Sequence, residues 1–152
     1  MLNANRTGWA AAMGVEFVSA SADEVVAEVE VAAQHHQPYG IVHGGVYSGV
    51  IESLASVGAA LVALPRGQVV VGLENHTSFI RAARAGRLRF VATPIRRGRT
   101  TQVWEGTARD EEGRLLATGR VRLICLEAGV DLGGEPAPGA PSLGRERGVG
   151  AD

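Results

Sequence analysis

His43-Gly44-Gly45-Val46-Tyr47-Ser48-Gly49-Val50-Ile51-Glu52-Ser53-Leu54-Ala55-Ser56 opens an apolar run that continues to Leu64. Val, Ile, Leu, Ala, Gly and Ser dominate it, which is the composition of a long core helix. Pro65-Arg66-Gly67 supplies the stop: a proline that cannot continue the helix, then a glycine. The run is about as long as a membrane span, but Glu52, three serines and the glycines within it point to the central helix of a soluble domain. A carboxylate in such company is costly unless it is paired, hydrated or used.

Ser48, Glu52 and Ser56 recur at every fourth residue and so share one helix face. That polar stripe is either a solvated or helix-contacting edge, or part of a reaction centre. Gly44 and Gly45 open the helix, where backbone N–H groups lack internal acceptors and carry partial positive charge. Such groups can stabilise an oxyanion, and glycine lets a carbonyl approach closely; the alternative is a loop-to-helix turn that needs pliant residues. Eight residues separate Gly44 from Glu52, about 12 Å along a helix axis. Attack and oxyanion stabilisation must meet at one carbonyl carbon. One helix does not supply both, but two antiparallel copies can, which predicts a site at a dimer interface. Val50, Ile51, Leu54, Val57, Leu61 and Val62 spread around most of the helix circumference, so a second subunit is also expected to cover part of it.

Outside the helix the period is two. Strands are expected over Met13 to Ala20, Glu24 to Val31, Gln68 to Ile80, Arg87 to Arg96, Thr101 to Asp110 and Arg114 to Leu126. The last four are joined by short turns at Arg84-Ala85-Gly86, Arg97-Gly98-Arg99 and Asp110-Glu111-Glu112-Gly113, so they should be antiparallel. The class is α+β, one sheet on one helix. Residues 1–127 are expected to form one domain. Residues 128–152 are rich in Gly and Pro, and are expected to be a flexible tail or to lie over a neighbour.

The chain has 152 residues and a formal net charge of -1, with no lysine, so nothing argues for nucleic acid. Cys125 is the single cysteine, which excludes an intrachain disulfide and fits a reducing, cytoplasmic compartment. The polar start, Met1-Leu2-Asn3-Ala4-Asn5-Arg6, does not resemble a targeting segment. His35, His36 and His43 precede the helix and His76 follows it, but no familiar zinc spacing is present, so no metal is expected. Arg81, Arg84, Arg87 and Arg89 form one basic group, and Arg96, Arg97 and Arg99 a second. Each is either a phosphate-binding group or ordinary solvated charge at strand ends.

Gln37-Pro38-Tyr39-Gly40-Ile41-Val42-His43-Gly44-Gly45, with Glu52-Ser53-Leu54-Ala55-Ser56 downstream, resembles the active-site signature of the hotdog-fold acyl-CoA thioesterases. Val71 to His76, Arg81 to Gly86, Gly98 to Trp104 and Asp110 to Leu115 resemble that family's later strands and turns. The similarity runs from about Met13 to Leu126. It is nearest to the PaaI-like branch, with the 4-hydroxybenzoyl-CoA thioesterase of the Arthrobacter type and the 1,4-dihydroxy-2-naphthoyl-CoA and enterobactin-proofreading thioesterases.

The resemblance implies a long helix wrapped by a five- to six-stranded antiparallel sheet, in dimers that pair into tetramers. It implies hydrolysis of a small aromatic acyl-CoA without a cofactor. Glu52 matches the carboxylate that attacks the thioester or activates water, and Gly44 the backbone donor to its oxygen. Gln37 and His43 match groups that polarise or position the carbonyl, and Ser56 a residue that orients the water or carboxylate. Gly45, Arg81, Arg99 and Thr100 fall near positions that meet the substrate or CoA. A hotdog hydratase or dehydratase would carry an Asp/His pair that this chain lacks. A noncatalytic acyl-CoA-binding protein is the remaining alternative.

Overall fold

A short helix, α1 (Gly8–Ala12), precedes two strands, β1 (Glu16–Ala20) and β2 (Val25–Glu30). The long helix α2 (Gly44–Ala63) follows, and then β3 (Gln68–Phe79), β4 (Arg87–Arg97), β5 (Thr101–Arg109) and β6 (Leu115–Glu127). The structure, a computed structural model, describes Asn3 and residues 7–137. The long helix and the six strands lie within a few residues of where the sequence places them. α1 was not anticipated: Gly14, at φ 59, turns the chain between it and β1, so the first strand starts later than expected.

The sheet order is β1-β2-β4-β5-β6-β3, antiparallel throughout, and α2 packs across one face of it. This is the hotdog arrangement. Glycines set how closely the helix approaches. Gly106 of β5 and Gly119 of β6 lie under Ile51, and Gly58 of α2 lies against the Trp104 indole, where a Cβ would collide with the ring. Trp104 is fully buried, and its N–H donates to Gln102 Oε1 at 3.1 Å. Gln102 in turn donates to the Ala59 carbonyl at 3.1 Å, so this polar pair inside the core is satisfied.

The apolar circumference of α2 is narrower than the sequence suggests. Val50, Ile51 and Leu54 are buried against the sheet, but Val57 is only partly buried and Leu61 is 41 % exposed. Gly45, Ser48, Gly49, Glu52, Ser53 and Ser56 make up the outward side, which is polar and small rather than greasy. By length and hydropathy the helix could cross a membrane, yet half of its most apolar stretch is buried within the fold. It is the core helix of a sheet-and-helix layer. It ends in a 3-10 turn at Leu64–Arg66, closed by Gly67 at φ 71.

β3 is an edge strand, and its phase changes midway. Gly72 pairs with inward-facing Leu123, but Glu74 pairs with outward-facing Arg122, so Leu73 is an extra residue in a bulge. Beyond it Asn75, Thr77 and Phe79 face the helix, opposite Val121, Gly119 and Ala117. A strand without the bulge would turn these three the other way.

After β6 the chain forms a small hairpin, β7 (Asp131–Leu132) with β8 (Glu135–Pro136), and Ala137 N–H donates to the Val130 carbonyl at 2.6 Å. The first part of the expected flexible tail therefore has local structure. Residues 138–152, and 1, 2 and 4–6 of the polar start, lie outside the described residues.

Candidate active site

Glu52 projects from the outward side of α2 toward β3. Its Oε2 accepts a hydrogen bond from Asn75 Nδ2 at 3.1 Å. Asn75 Nδ2 also donates to the Ser48 carbonyl at 2.9 Å, and Asn75 Oδ1 accepts from the Thr77 hydroxyl at 2.7 Å. Thr77 thus fixes the amide, and the amide ties the carboxylate to the helix turn that carries it. Gly72 lies beneath, its absent Cβ leaving the space that Glu52 Oε1 approaches. In the single chain Glu52 is exposed, which corrects the reading of a carboxylate sunk in a buried helix. It lines a cavity of about 410 Å³ with Trp9, Gly49, Ser53 and Ser56. Ser56 therefore shares the space of Glu52.

The loop before α2 is held as a rigid turn. Gln37 N–H donates to the Ile41 carbonyl at 2.9 Å, Gly40 N–H to the Gln37 carbonyl at 2.8 Å, and Gly40 sits at φ 71. Arg84 Nη1 donates to the carbonyls of Tyr39 and Gly40 at 2.9 and 3.2 Å. The Gln37 side-chain oxygen accepts from Tyr39 N–H at 2.6 Å, so its NH₂ end is free to face a ligand.

His43 caps α2: its Nδ1 accepts the Gly45 N–H at 2.8 Å, and Val46 N–H donates to the His43 carbonyl at 3.0 Å. Gly45's donor is therefore used. The Gly44 N–H has no protein acceptor among the described residues. The Phe79 ring lies over Gly44, where a Cβ would come within 2.6 Å of it. Gln37, His43, Gly44, Tyr47, Phe79 and Arg81 are among the residues lining a cavity of about 700 Å³. Tyr47 is buried, and its hydroxyl has no partner among the described residues. Burial, with the Asp110 charge adding, pushes that phenol up, so it stays a neutral hydroxyl.

Within one chain these are two separate cavities. The cavity at Gly44 does not include Glu52, and the cavity at Glu52 does not include Gly44 or Gln37. Arg99 and Thr100 are farther still. The Arg99 carbonyl accepts from Gln68 at the start of β3, and the Thr100 carbonyl from Cys125 N–H, whereas Arg81 follows the end of β3. About 35 Å of strand separates them.

The basic and histidine groups resolve differently. Arg84 clamps the loop, Arg87 and Arg89 pair with Glu28, and Arg97 pairs with Asp23. The side chains of Arg81, Arg96 and Arg99 have no such partner among the described residues, so these three remain available for an anionic ligand. His35 is buried: Nδ1 accepts from Ala32 N–H and Nε2–H donates to the Met13 carbonyl, which ties the end of α1 to this loop. His36 donates to the Arg84 carbonyl at 2.7 Å. His76 lines a groove on the opposite face of the sheet, beside Glu105 and Arg120.

Asn75, Phe79 and Trp9 carry no role in the sequence reading. Asn75 had a signal, since asparagine is disfavoured within strands. The bulge that turns it toward Glu52 was not visible. Trp9 comes to Gly49 through α1, a helix too short to carry a periodic signal.

The thioesterase superfamily model matches residues 39–117. The chain is 38% identical over 108 residues to the 1,4-dihydroxy-2-naphthoyl-CoA hydrolase of Listeria monocytogenes, covering 71% of this chain and 87% of that protein. It is 37% identical over 109 residues to the proofreading thioesterase EntH of Cronobacter turicensis, covering 72% and 79%. The solved structure of a Haemophilus influenzae thioesterase superposes with a TM-score of 0.75 at 32% identity, covering 83% of this chain and 86% of that one.

Proposed function

The chain belongs to the thioesterase superfamily, and on that premise we propose that it hydrolyses a small aromatic acyl-CoA to the free acid and CoA. The observation that carries this reading is the pair of complementary half-sites. A carboxylate is held by Asn75 in one cavity, and a free helix-start N–H lies beside the Gln37 amide in another. The aromatic acyl group rests on the name of one relative, a 1,4-dihydroxy-2-naphthoyl-CoA hydrolase.

The half-sites meet across a dimer. β3 is a long edge strand exposing Leu73 and Phe79 at 52% and 59%, with Ile80 just beyond it at 55%, and such an edge calls for a cover. A second copy pairing antiparallel about a two-fold axis near Asn75 sets Phe79 opposite the region of Gly72 in its partner. Gly44 lies under Phe79 and Glu52 lies over Gly72, so this pairing brings Gly44 of one subunit toward Glu52 of the partner subunit. Further pairing of dimers gives a homotetramer in the cytoplasm. A native mass of two or four times 15.8 kDa is expected; a monomer at micromolar concentration contradicts the assembly.

In the complete site the thioester oxygen accepts from Gly44 N–H and the Gln37 NH₂, which makes its carbon electrophilic. The Glu52 carboxylate attacks that carbon directly, or takes a proton from water that attacks it, with Ser56 orienting the group that adds. The tetrahedral oxyanion collapses and expels the CoA thiolate, which takes up a proton. In the direct route water then hydrolyses the acyl–Glu52 anhydride. The thiolate is a good leaving group, so no metal need enter. Arg81, Arg99 and Thr100 are assigned to the phosphates and pantetheine of CoA, and because of their separation they come from different subunits.

Thiol release from a panel of aryl- and alkyl-CoA thioesters tests the reading. Rapid release from an aryl ester, lost in Glu52→Ala, is the expected result. Tight binding with no release from any ester would make the protein a binding module.

A further inference from the structure

Trp9 is the residue that the thioesterase signature does not account for. It lies outside residues 39–117, on the short α1, yet it reaches the most functional part of α2. Its indole packs so close to the helix that a Cβ at Gly49 would come within 2.5 Å of Cη2 and 2.6 Å of Cζ2. Gly49 is one turn before Ser53 and three residues before Glu52. Ser53 turns its hydroxyl back to the Gly49 carbonyl at 2.8 Å, which leaves the indole as the main apolar surface there.

The same indole borders two cavities. One, of about 410 Å³, holds Glu52, Ser53 and Ser56, and the other, of about 310 Å³, holds His43 and Gly45. Trp9 is thus the partition between the carboxylate and the N-terminal end of its own helix. It is held in place without being buried. Met13 N–H donates to the Trp9 carbonyl at 2.9 Å, and His35 donates to the Met13 carbonyl at 3.0 Å, so α1 is tied to the loop that carries Gln37. The residue is 43% exposed.

We propose that Trp9 is a specificity-determining residue: its indole is the wall, beside Glu52, against which the acyl group of the substrate packs. The proposal rests on the hydrolase reading above and extends it to the choice of acyl group. A flat, rigid wall of this kind rewards planar aromatic groups through offset or edge-on ring contacts, and gives a short alkyl group little to touch. Gly49 belongs to the same device, because any side chain there would lift the indole from the helix.

The test compares kcat/KM for benzoyl-CoA and acetyl-CoA in the wild type, Trp9→Ala, Trp9→Phe and Gly49→Ala. A ring contact of the usual strength predicts that the aryl-to-acetyl ratio falls about 3- to 10-fold in Trp9→Ala and in Gly49→Ala, and is largely restored by phenylalanine. An unchanged ratio, or an equal fall for both esters, would show a structural role only and overturn the proposal. A second readout does not require turnover. The chain has two tryptophans, and Trp104 is sealed in the core, so a benzoyl-CoA-induced change in tryptophan fluorescence reports Trp9. It is expected in the wild type and in Glu52→Gln, and absent in Trp9→Phe. If the wild type released no thiol from any ester, the hydrolase reading would fail. The fluorescence change would still decide the wall: its presence supports it, its absence overturns it.

Discussion

The two sides of α2 obey different rules. The inward side is fitted to the sheet at contact distance, with Ile51 seated over Gly106 and Gly119 and Gly58 yielding to Trp104. The outward side is loosely covered, carries Glu52 and small residues, and borders open cavities. The difference teaches how one helix can be both the core and the site. Close packing lies on the face that touches the sheet, and in the function proposed above the chemistry falls on the other face, left for a ligand and a second subunit. Substitutions should therefore separate: those on the inner face cost stability, and those on the outer face cost turnover.

The largest effect is expected at Glu52. Its replacement by alanine should lower thiol release about 10³-fold, in line with loss of an acid–base group, while the melting temperature stays within a degree or two. Steady-state rates beside a thermal melt check this, and a large fall in melting temperature would break the separation of faces. On the inner face, Gly58→Val drives a side chain into the buried Trp104 ring. It should destabilise by about 2 kcal/mol, as overpacking does, and leave the turnover of the folded fraction close to wild type. Urea unfolding with an activity assay on the native fraction measures both.

Asn75 sharpens the comparison because it joins the two regions: it stands on the sheet but serves the outer face. Asn75→Ala should lower kcat about 10-fold with little change in KM, since it removes the hydrogen bond that aims Glu52 rather than a contact to substrate. A rise in KM with kcat unchanged would make Asn75 a binding residue.

The central helix was plain in the sequence because composition, the Pro65–Gly67 stop and the polar stripe at Ser48, Glu52 and Ser56 all agreed. The separation of Gly44 from Glu52 was also legible, since their span on a helix follows from arithmetic, and the two residues do line different cavities. Burial of Glu52 was not: a lone charge in an apolar run looks buried, but whether the helix turns it inward depends on which side meets the sheet. Asn75 was hidden for a related reason. One extra residue at Leu73 reverses every later side chain of β3, and alternation alone does not reveal where a bulge falls. Trp9 was missed because a five-residue helix has too few positions to show a period.

The smallest effect is expected in the hairpin turn between β5 and β6, where Asp110 lines neither the cavity at Gly44 nor that at Glu52. Burial pushes the Asp110 carboxyl up, but hydrogen bonds from the Arg114 side chain and backbone, the Arg114 charge and the Glu112 N–H together hold it below the usual 3.8. A carboxyl depressed in the folded state adds stability above its unfolded value, and this is lost as pH falls through the folded one. Asp110→Asn should lower the melting temperature slightly at pH 7. The gap to wild type should close on acidification below about pH 4, with turnover unaffected at neutral pH. A gap that persists at the acidic end would mean that geometry, not charge, is what Asp110 supplies.

The central claim is that each site takes Glu52 from one subunit and the Gly44–Gln37 end from its partner. Mixing the Glu52→Ala and Gln37→Ala variants, unfolded and refolded together, tests it directly. Random pairing makes half the dimers mixed, and each mixed dimer holds one intact site of two, so activity should return to about a quarter of wild type. A mixture no more active than the average of the two variants alone would place both groups in the same subunit and contradict the account.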